Sequence, residues 1–297
     1  MRAIENWKIY PWLLLTPTLV LFAIWNLVPL FWMVGMSFYN YSLTLGRPPR
    51  FLGFKNYLDY LENPDVWVAL SHTLIFVFFS VVLTTFLGSL LGGLFWRSSK
   101  MPGRRLALTL LFSPMILTPA AIGTFFRLNY DPTFGIFGYL TKMITGANIE
   151  YLGTEGWAFA ALVGVDVWMW TPFMVLIILA ALGSVPAAEL EAAQIDRLSL
   201  WRQFRYVVFP HARFIIILGV ILRTIDAFKV TDLVYQLTRG GPGGTTEVIG
   251  VMMFRKAFEA FSVGWTSGLA VITLFTAISF TAIFLYLLNM HKRKKIG

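Results

Sequence analysis

The chain has 297 residues, of which 57% are hydrophobic and only 13% are charged. Together with a mean hydropathy of +0.70, this composition excludes a soluble globular protein. The absence of cysteine and the presence of only three histidines exclude thiol chemistry and metal-ligand spacing. The net charge of +9 comes from basic residues beside apolar segments, so nucleic-acid binding is not expected.

The apolar segments are long enough to cross a bilayer, which predicts an all-α integral membrane protein. We place six transmembrane helices at about residues 12–36, 70–96, 106–127, 157–183, 214–238 and 265–289, within a single domain that covers residues 1–297. The first segment is too long for a signal-peptide core and no cleavage motif follows it, so we expect it to remain in the protein. In the second, Gly88 and Gly92 form a small-x-x-x-small pair that favours close helix packing.

The fourth and fifth spans carry charges. Arg223, Asp226, Lys229 and Asp232 follow one another at i, i+3 spacing with alternating sign, so each is expected to pair with its neighbour along one helix. Two interpretations stay open: a self-neutralised structural ladder, which we favour, or a lining of the solute path. The same choice applies to Asp166, Trp168 and Trp170 of the fourth span, where aromatic rings could stack on sugar faces.

The connections differ on the two sides of the membrane. The outer ones, at residues 39–69 and 128–156, are rich in turn-forming and aromatic residues and are typical of docking surfaces. A third outer stretch, Arg239 to Gly244, follows the fifth span and cannot be helical. The longest inner connection, residues 184–212, predicts a short helix that begins near Pro186, with Ala188, Ala192 and Ala193 allowing close approach of another protein and Leu190 and Ile195 as apolar contacts. An ordinary amphipathic linker helix is the alternative.

Catalytic motifs are not found. No glycine is followed by lysine, as a phosphate-binding loop would require, so the chain alone is not expected to hydrolyse ATP. Neither a Gly-x-Ser-x-Gly nor a His-Glu-x-x-His motif occurs, so the sequence offers no candidate active site for a membrane enzyme.

The inner connection resembles a family motif. Glu191-Ala192-Ala193, followed by Val207-Val208-Phe209-Pro210, is similar to the "EAA" loop of binding-protein-dependent ABC importer permeases, which reads Glu-Ala-Ala, three residues, Gly, nine residues, Ile-x-Leu-Pro. Arg197 stands at the glycine of that pattern, Val207 at the isoleucine and Phe209 at the leucine. Three further segments are similar to carbohydrate-type permeases of the maltose and glycerol-phosphate group: Leu52 to Tyr57, Tyr130 to Gly135 and Leu237 to Gly243.

The resemblance implies a type I ABC importer permease fold in a bacterial or archaeal cytoplasmic membrane. It implies a second permease subunit, as a heterodimer, two copies of an ATPase subunit that bind ATP and Mg²⁺, and an extracytoplasmic solute-binding protein that delivers a sugar; no cofactor is expected on this chain. It assigns ATPase coupling to Glu189, Leu190, Glu191, Ala192, Ala193, Asp196, Arg197 and Pro210. The resemblance makes Gly240, Gly241, Pro242 and Gly243 candidates for binding-protein docking.

Some alternatives stay open. Either Arg197 adopts the positive φ of a glycine, at a cost of about 1 kcal/mol, or the loop turns differently here. The solute could be something other than a sugar. A secondary transporter could use the charges of the fifth span as an ion relay, but it would predict inverted repeats, and the sequence has none.

The sidedness of the chain is testable. The fifth span has only Phe214 to Leu222 free of charge, and the totals of Lys and Arg on the two sides barely discriminate between five and six spans. The basic tail His291 to Lys295 directly follows a span and favours six spans, which place both termini in the cytoplasm. A tag inserted between Gly240 and Gly244 should therefore be accessible from outside intact cells, and one after Lys295 only from inside. Finding both tags on the same side of the membrane would contradict the prediction of a fifth span.

Overall fold

The computed structural model describes residues 2–44, 46–98, 101–147 and 149–293. Helices dominate these residues, and two short strands pair antiparallel with Tyr39 opposite Phe51. In chain order the elements are α1 (Arg2–Met36), β1 (Tyr39–Asn40), β2 (Arg50–Phe51), α2 (Lys55–Glu62), α3 (Pro64–Arg97), α4 (Arg104–Phe112), α5 (Pro119–Asn129), α6 (Ile136–Thr145), α7 (Glu155–Gly183), α8 (Ala187–Ile195), α9 (Leu200–Gln203), α10 (Phe209–Phe228), α11 (Asp232–Leu237), α12 (Ile249–Phe254) and α13 (Val263–Arg293). A 3₁₀ turn follows α4 at Ser113–Ile116, and π turns follow α9 and α12 at Phe204–Val208 and Arg255–Glu259.

Among the described residues, five helical segments are long and apolar enough to cross a membrane: Trp12–Met36, Pro64–Arg97, Glu155–Gly183, Leu200–Phe228 and Val263–Phe280. A bent pair of helices adds a sixth candidate. The all-α membrane architecture is therefore confirmed. Of the predicted basic tail, Lys294 and Lys295 lie outside the described residues.

The third predicted span, residues 106–127, is not a straight helix. The segment Arg104–Ile116 and α5 meet at an angle of 100°. Proline explains the break, because Pro119 forces the preceding Thr118 into an extended conformation, with φ −72° and ψ 148°. The hydroxyl of Thr118 then caps α5 by accepting a hydrogen bond from the amide of Ala121 at 3.3 Å.

The fifth predicted span, residues 214–238, is also wrong in its bounds. A continuous helical segment runs from Leu200 through the π turn to Phe228, and α11 begins separately at Asp232. Lys229 to Thr231 therefore form a break rather than a helical turn. The four charges of the predicted ladder consequently do not lie on one helix.

The chain divides into two compact units. In the unit made of residues 1–66 and 253–278, buried Asn56 donates hydrogen bonds to the carbonyls of Ser37 and Tyr39, at 2.8 Å and 3.1 Å. In the same unit Tyr60 packs edge-on against Trp265 with 5.0 Å between ring centroids. These contacts order the segment that joins α1 to α3.

The unit made of residues 67–252 and 279–297 holds the main apolar core, built mostly from α3, α7 and the chain from α10 to α12. Glycines let α3 approach α7 closely, as the sequence predicts. A Cβ atom at Gly92 would lie 2.6 Å from Cγ2 of Ile178, and one at Gly88 would overlap Met174. The predicted close helix packing at Gly88 and Gly92 is confirmed.

This packing predicts the effect of single methyl groups. Gly88→Ala should lower the thermal unfolding midpoint of the purified protein, because the methyl group meets the backbone of α7 and overpacking costs about 1–3 kcal/mol. Gly93→Ala is the matched control, since a Cβ there meets nothing within 4 Å. Equal losses in both variants would contradict close packing at Gly88.

Candidate functional site

A buried group of polar side chains connects three helices. Arg223 of α10 is 1% exposed and donates hydrogen bonds to the carboxylate of Asp166 on α7 and to the hydroxyl of Ser80 on α3. The hydroxyl of Ser80 donates to the same carboxylate. Because all three side chains are buried, these hydrogen bonds replace those to water, although Nε of Arg223 is left without a partner among the described residues.

Two further contacts hold the guanidinium of Arg223. Its Nη1 donates to the carboxylate of Asp226, one turn along α10, at 3.2 Å. Its Cζ lies 5.3 Å from the centroid of the Trp170 ring, within the range of a cation–π contact. The side chain of Asp226 is 43% exposed, so this second ion pair is far less buried than the first.

The ion pairs differ from the predicted ladder. The pair of Arg223 with Asp226 is confirmed, but the most buried partner of Arg223 is Asp166, which belongs to another helix. In the described part of the chain, Lys229 has no carboxylate within ion-pair distance, so the predicted pairs of Lys229 with Asp226 and Asp232 are wrong. The reason is the helix break, because α10 ends at Phe228 and Asp232 opens α11.

A cavity of about 180 Å³ lies beside this cluster. Its wall is formed by the helix break, by α7 and by the start of α5, and the lining residues are Pro119, Asp166, Met169, Trp170, Asp226, Lys229, Val230, Thr231, Asp232 and Leu233. Non-helical backbone in an apolar segment is tolerated where it lines a polar cavity, as it does here. The cavity therefore offers carboxylates, one ammonium group and an indole ring to a solute.

The cavity brings together four of the six predicted path residues: Asp166, Trp170, Asp226 and Lys229. Arg223 lies buried behind them. Trp168 points elsewhere and packs edge-on against Phe126, with 5.2 Å between ring centroids. Ser80 was missed by the sequence analysis, because nothing in the pattern distinguishes it from the other serines of α3.

The inner segment contains the predicted short helix, α8. The helix ends in a Schellman motif, in which the amide of Arg197 donates to Gln194 and the amide of Leu198 donates to Ala193, both at 3.0 Å. Arg197 has a φ of +51°, the left-handed conformation that the motif requires at this position. The alternative that the loop turns differently is therefore wrong, because arginine adopts the positive φ typical of glycine.

The two sides of α8 have different environments. Ala193 is 3% exposed, and Leu190 packs against a cluster that includes Val208 and Ala212. These two side chains therefore stabilise the chain itself, which corrects the prediction that they contact another protein. The exposed side carries the remaining candidates: Ala188, Glu189, Glu191, Ala192, Ile195, Asp196 and Arg197.

A polar contact attaches α8 to α10. Glu189 lies 2.8 Å from Nε2 of His211, although 22 residues separate them, and no local pattern indicates this pair. Pro210 lies in the first turn of α10, where the missing amide proton costs no helical hydrogen bond.

The predicted outer docking stretch forms a compact turn. Thr246 closes it by donating from its amide to the carbonyl of Gly240 at 3.2 Å and from its hydroxyl to that of Gly241 at 2.7 Å. Gly240 is buried, Gly241 and Pro242 are half-buried, and Gly243 is exposed. Gly243 is thus the most accessible of the four docking candidates.

Comparison with known proteins finds a matching family model and similar proteins. A family model described as "Binding-protein-dependent transport system inner membrane component" matches residues 9–296. The chain is 31% identical to the trehalose/maltose transport system permease protein of Thermococcus litoralis, over 92% of each chain. It is 30% identical to the sulfoquinovosyl glycerol transport system permease protein of Agrobacterium fabrum, over 93% of this chain and 89% of the relative.

A solved structure shares the fold. It is a bacterial ABC transporter involved in the import of the acidic polysaccharide alginate, and one of its chains matches with a TM-score of 0.80 and 18% identity over 95% of both chains.

The buried cluster predicts unequal roles for two aspartates. Asp166→Asn should destabilise the assembled complex by about 3–5 kcal/mol, because it removes one partner of a buried ion pair. Asp226→Asn is the matched change on the exposed partner of the same arginine and should cost about 1 kcal/mol or less. Thermal unfolding and subunit retention during purification measure both. A larger loss for Asp226→Asn would contradict the assignment.

Proposed function

The chain belongs to the family of binding-protein-dependent transport system inner membrane components, and on this premise we propose that it forms half of the translocation path for a sugar or sugar derivative. It is a transmembrane permease subunit of an ABC importer in the cytoplasmic membrane and is not itself an enzyme. A single observation carries the substrate class: identity of 31% to a trehalose/maltose permease extends over 92% of both chains.

The cavity beside Asp226 supports a role in passing a polyhydroxylated solute. Carboxylates accept hydrogen bonds from hydroxyl groups, and the ring of Trp170 offers an apolar surface suited to the face of a sugar ring. Asp166 is buried and bonded to Arg223 and Ser80, whereas Asp226 shares Arg223 but is 43% exposed, so Asp226, Lys229 and Asp232 are the charged groups accessible to a solute. Lys229 and Asp232 are exposed.

The partners follow from the family. An extracytoplasmic binding protein delivers the solute, and we place its docking at the turn around Gly243. A second permease subunit, in a heterodimer, completes the path. Two ATPase subunits, which bind ATP and Mg²⁺, dock on the inner loops of the two permeases. On this chain the docking site is the exposed face of α8, where Glu191, Ala192 and Ile195 are accessible.

A bulky side chain on the exposed face of α8 tests whether the ATPase subunits dock there. Glu191→Ala combined with Ala192→Trp should release the ATPase subunits or uncouple ATP hydrolysis from transport, because a ring cannot enter a site sized for a methyl group. Both side chains are exposed, so the fold of this chain should persist. Ala147→Trp, an exposed alanine outside this segment, is the control. Normal subunit retention and normal coupled transport in the double variant would overturn the docking assignment.

Substitution of Lys229 tests whether the cavity lies on the path of the solute. Lys229→Met should leave assembly and thermal stability unchanged, because the ammonium is exposed and is not held in an ion pair with a carboxylate of the described residues. If the cavity lies on the path, transport in proteoliposomes should fall, and most for an acidic sugar derivative, which loses a charge-assisted hydrogen bond. ATP hydrolysis stimulated by the binding protein should persist. Unchanged transport of neutral and acidic sugars would remove Lys229 from the path.

A further inference from the structure

The helix α6 presents an apolar stripe to its surroundings. Its large exposed apolar side chains form one arc at i, i+3, i+4, i+7 and i+8 spacing, and they are Ile136, Tyr139, Leu140, Met143 and Ile144, with exposed fractions from 43% to 80%. A contiguous apolar surface of this kind marks an interaction site.

The opposite side of α6 fixes how the helix is oriented. Phe137 stacks on Tyr130 with 4.8 Å between ring centroids, and also on Phe126 at 6.2 Å. The hydroxyl of Thr141 is hydrogen-bonded to that of Tyr151. Because these contacts anchor one side of the helix to the fold, the apolar stripe cannot rotate inward and must be covered by something else.

The position and charge of the stripe favour a lipid surface. Residues 130–135 alone separate α6 from α5, which ends the bent segment at Asn129, so the stripe adjoins a segment that is apolar enough to lie in the bilayer. The helix contains no acidic residue, and its single charge, Lys142, is exposed. Lys142 lines a surface hollow together with the rings of Phe134 and Tyr139, an arrangement typical of the headgroup region.

We propose that α6 lies in the outer membrane–water interface, with its apolar stripe among acyl chains and Lys142 at the phosphates of phospholipid headgroups. A soluble partner would leave the stripe in water each time it dissociated, whereas the bilayer covers it permanently. In this position α6 anchors the outer end of the bent third segment, one side of which lines the cavity through Pro119. The inference does not depend on which solute is carried.

Labelling can test this directly, since the chain has no cysteine. Leu140→Cys and Met143→Cys, each labelled with an NBD fluorophore, would be measured in the assembled importer, with cysteine-free partner subunits, in nanodiscs of phosphatidylcholine and phosphatidylglycerol. Thr145→Cys is the matched control, because Thr145 is exposed at the end of the same helix and lies outside the apolar stripe, one turn after Thr141. ATP hydrolysis by each labelled complex verifies that it has folded.

The expected result is a blue-shifted emission at positions 140 and 143 and quenching by brominated acyl chains, with neither effect at position 145. Water-like emission at all three positions would overturn the proposal. A blue shift that appears only when the binding protein is added would also overturn the proposal, and it would assign the stripe to contact with that protein. A blue shift that persists in detergent, without quenching by brominated lipid in nanodiscs, would also overturn the proposal and would assign the stripe to contact with the second permease subunit.

Discussion

The arrangement of the unit made of residues 67–252 and 279–297 depends on one constraint, which is that a buried arginine in an apolar helix needs a compensating charge. Arg223 meets this requirement through Asp166 on α7 and Ser80 on α3, so three helices converge at one point. Removing Arg223 or Asp166 alone would leave the other without its buried counterion, which costs far more than the pair contributes. The same guanidinium reaches Asp226 at the wall of the cavity, so the packing of the helices and the polarity of the cavity share one group.

Two interruptions of helices shape that cavity. Pro119 starts α5 after the 100° bend, and Lys229 to Thr231 separate α10 from α11. Both interruptions contribute lining residues, so backbone that leaves the helical path does so where polar groups surround it. On the inner side, the left-handed Arg197 ends α8 and directs the chain into α9, while the pair of Glu189 and His211 connects α8 to α10.

Hydropathy and charge distribution were sufficient to predict the membrane helices and the inner helix, because burial in lipid requires long apolar segments. The bend of the third segment had a readable signal in Thr118-Pro119, but length alone suggested a straight span. The break at Lys229 to Thr231 contains neither glycine nor proline, so the charges there appeared continuous with α10. Periodicity places a residue on a face of its own helix but not beside a residue 57 positions away, which is why Asp166 was not identified as the partner of Arg223.

The most direct test of the buried pair as the structural centre is a thermodynamic cycle of apolar substitutions. Asp166→Leu, Arg223→Met and the double variant would be compared by the thermal unfolding midpoint of the purified complex. Because the double variant leaves no fully buried charge unpaired, and the Asp226 that loses Arg223 is 43% exposed, it should be more stable than either single variant, with a coupling of several kcal/mol between the two sites. Additive losses, with the double variant the least stable of the three, would contradict the account.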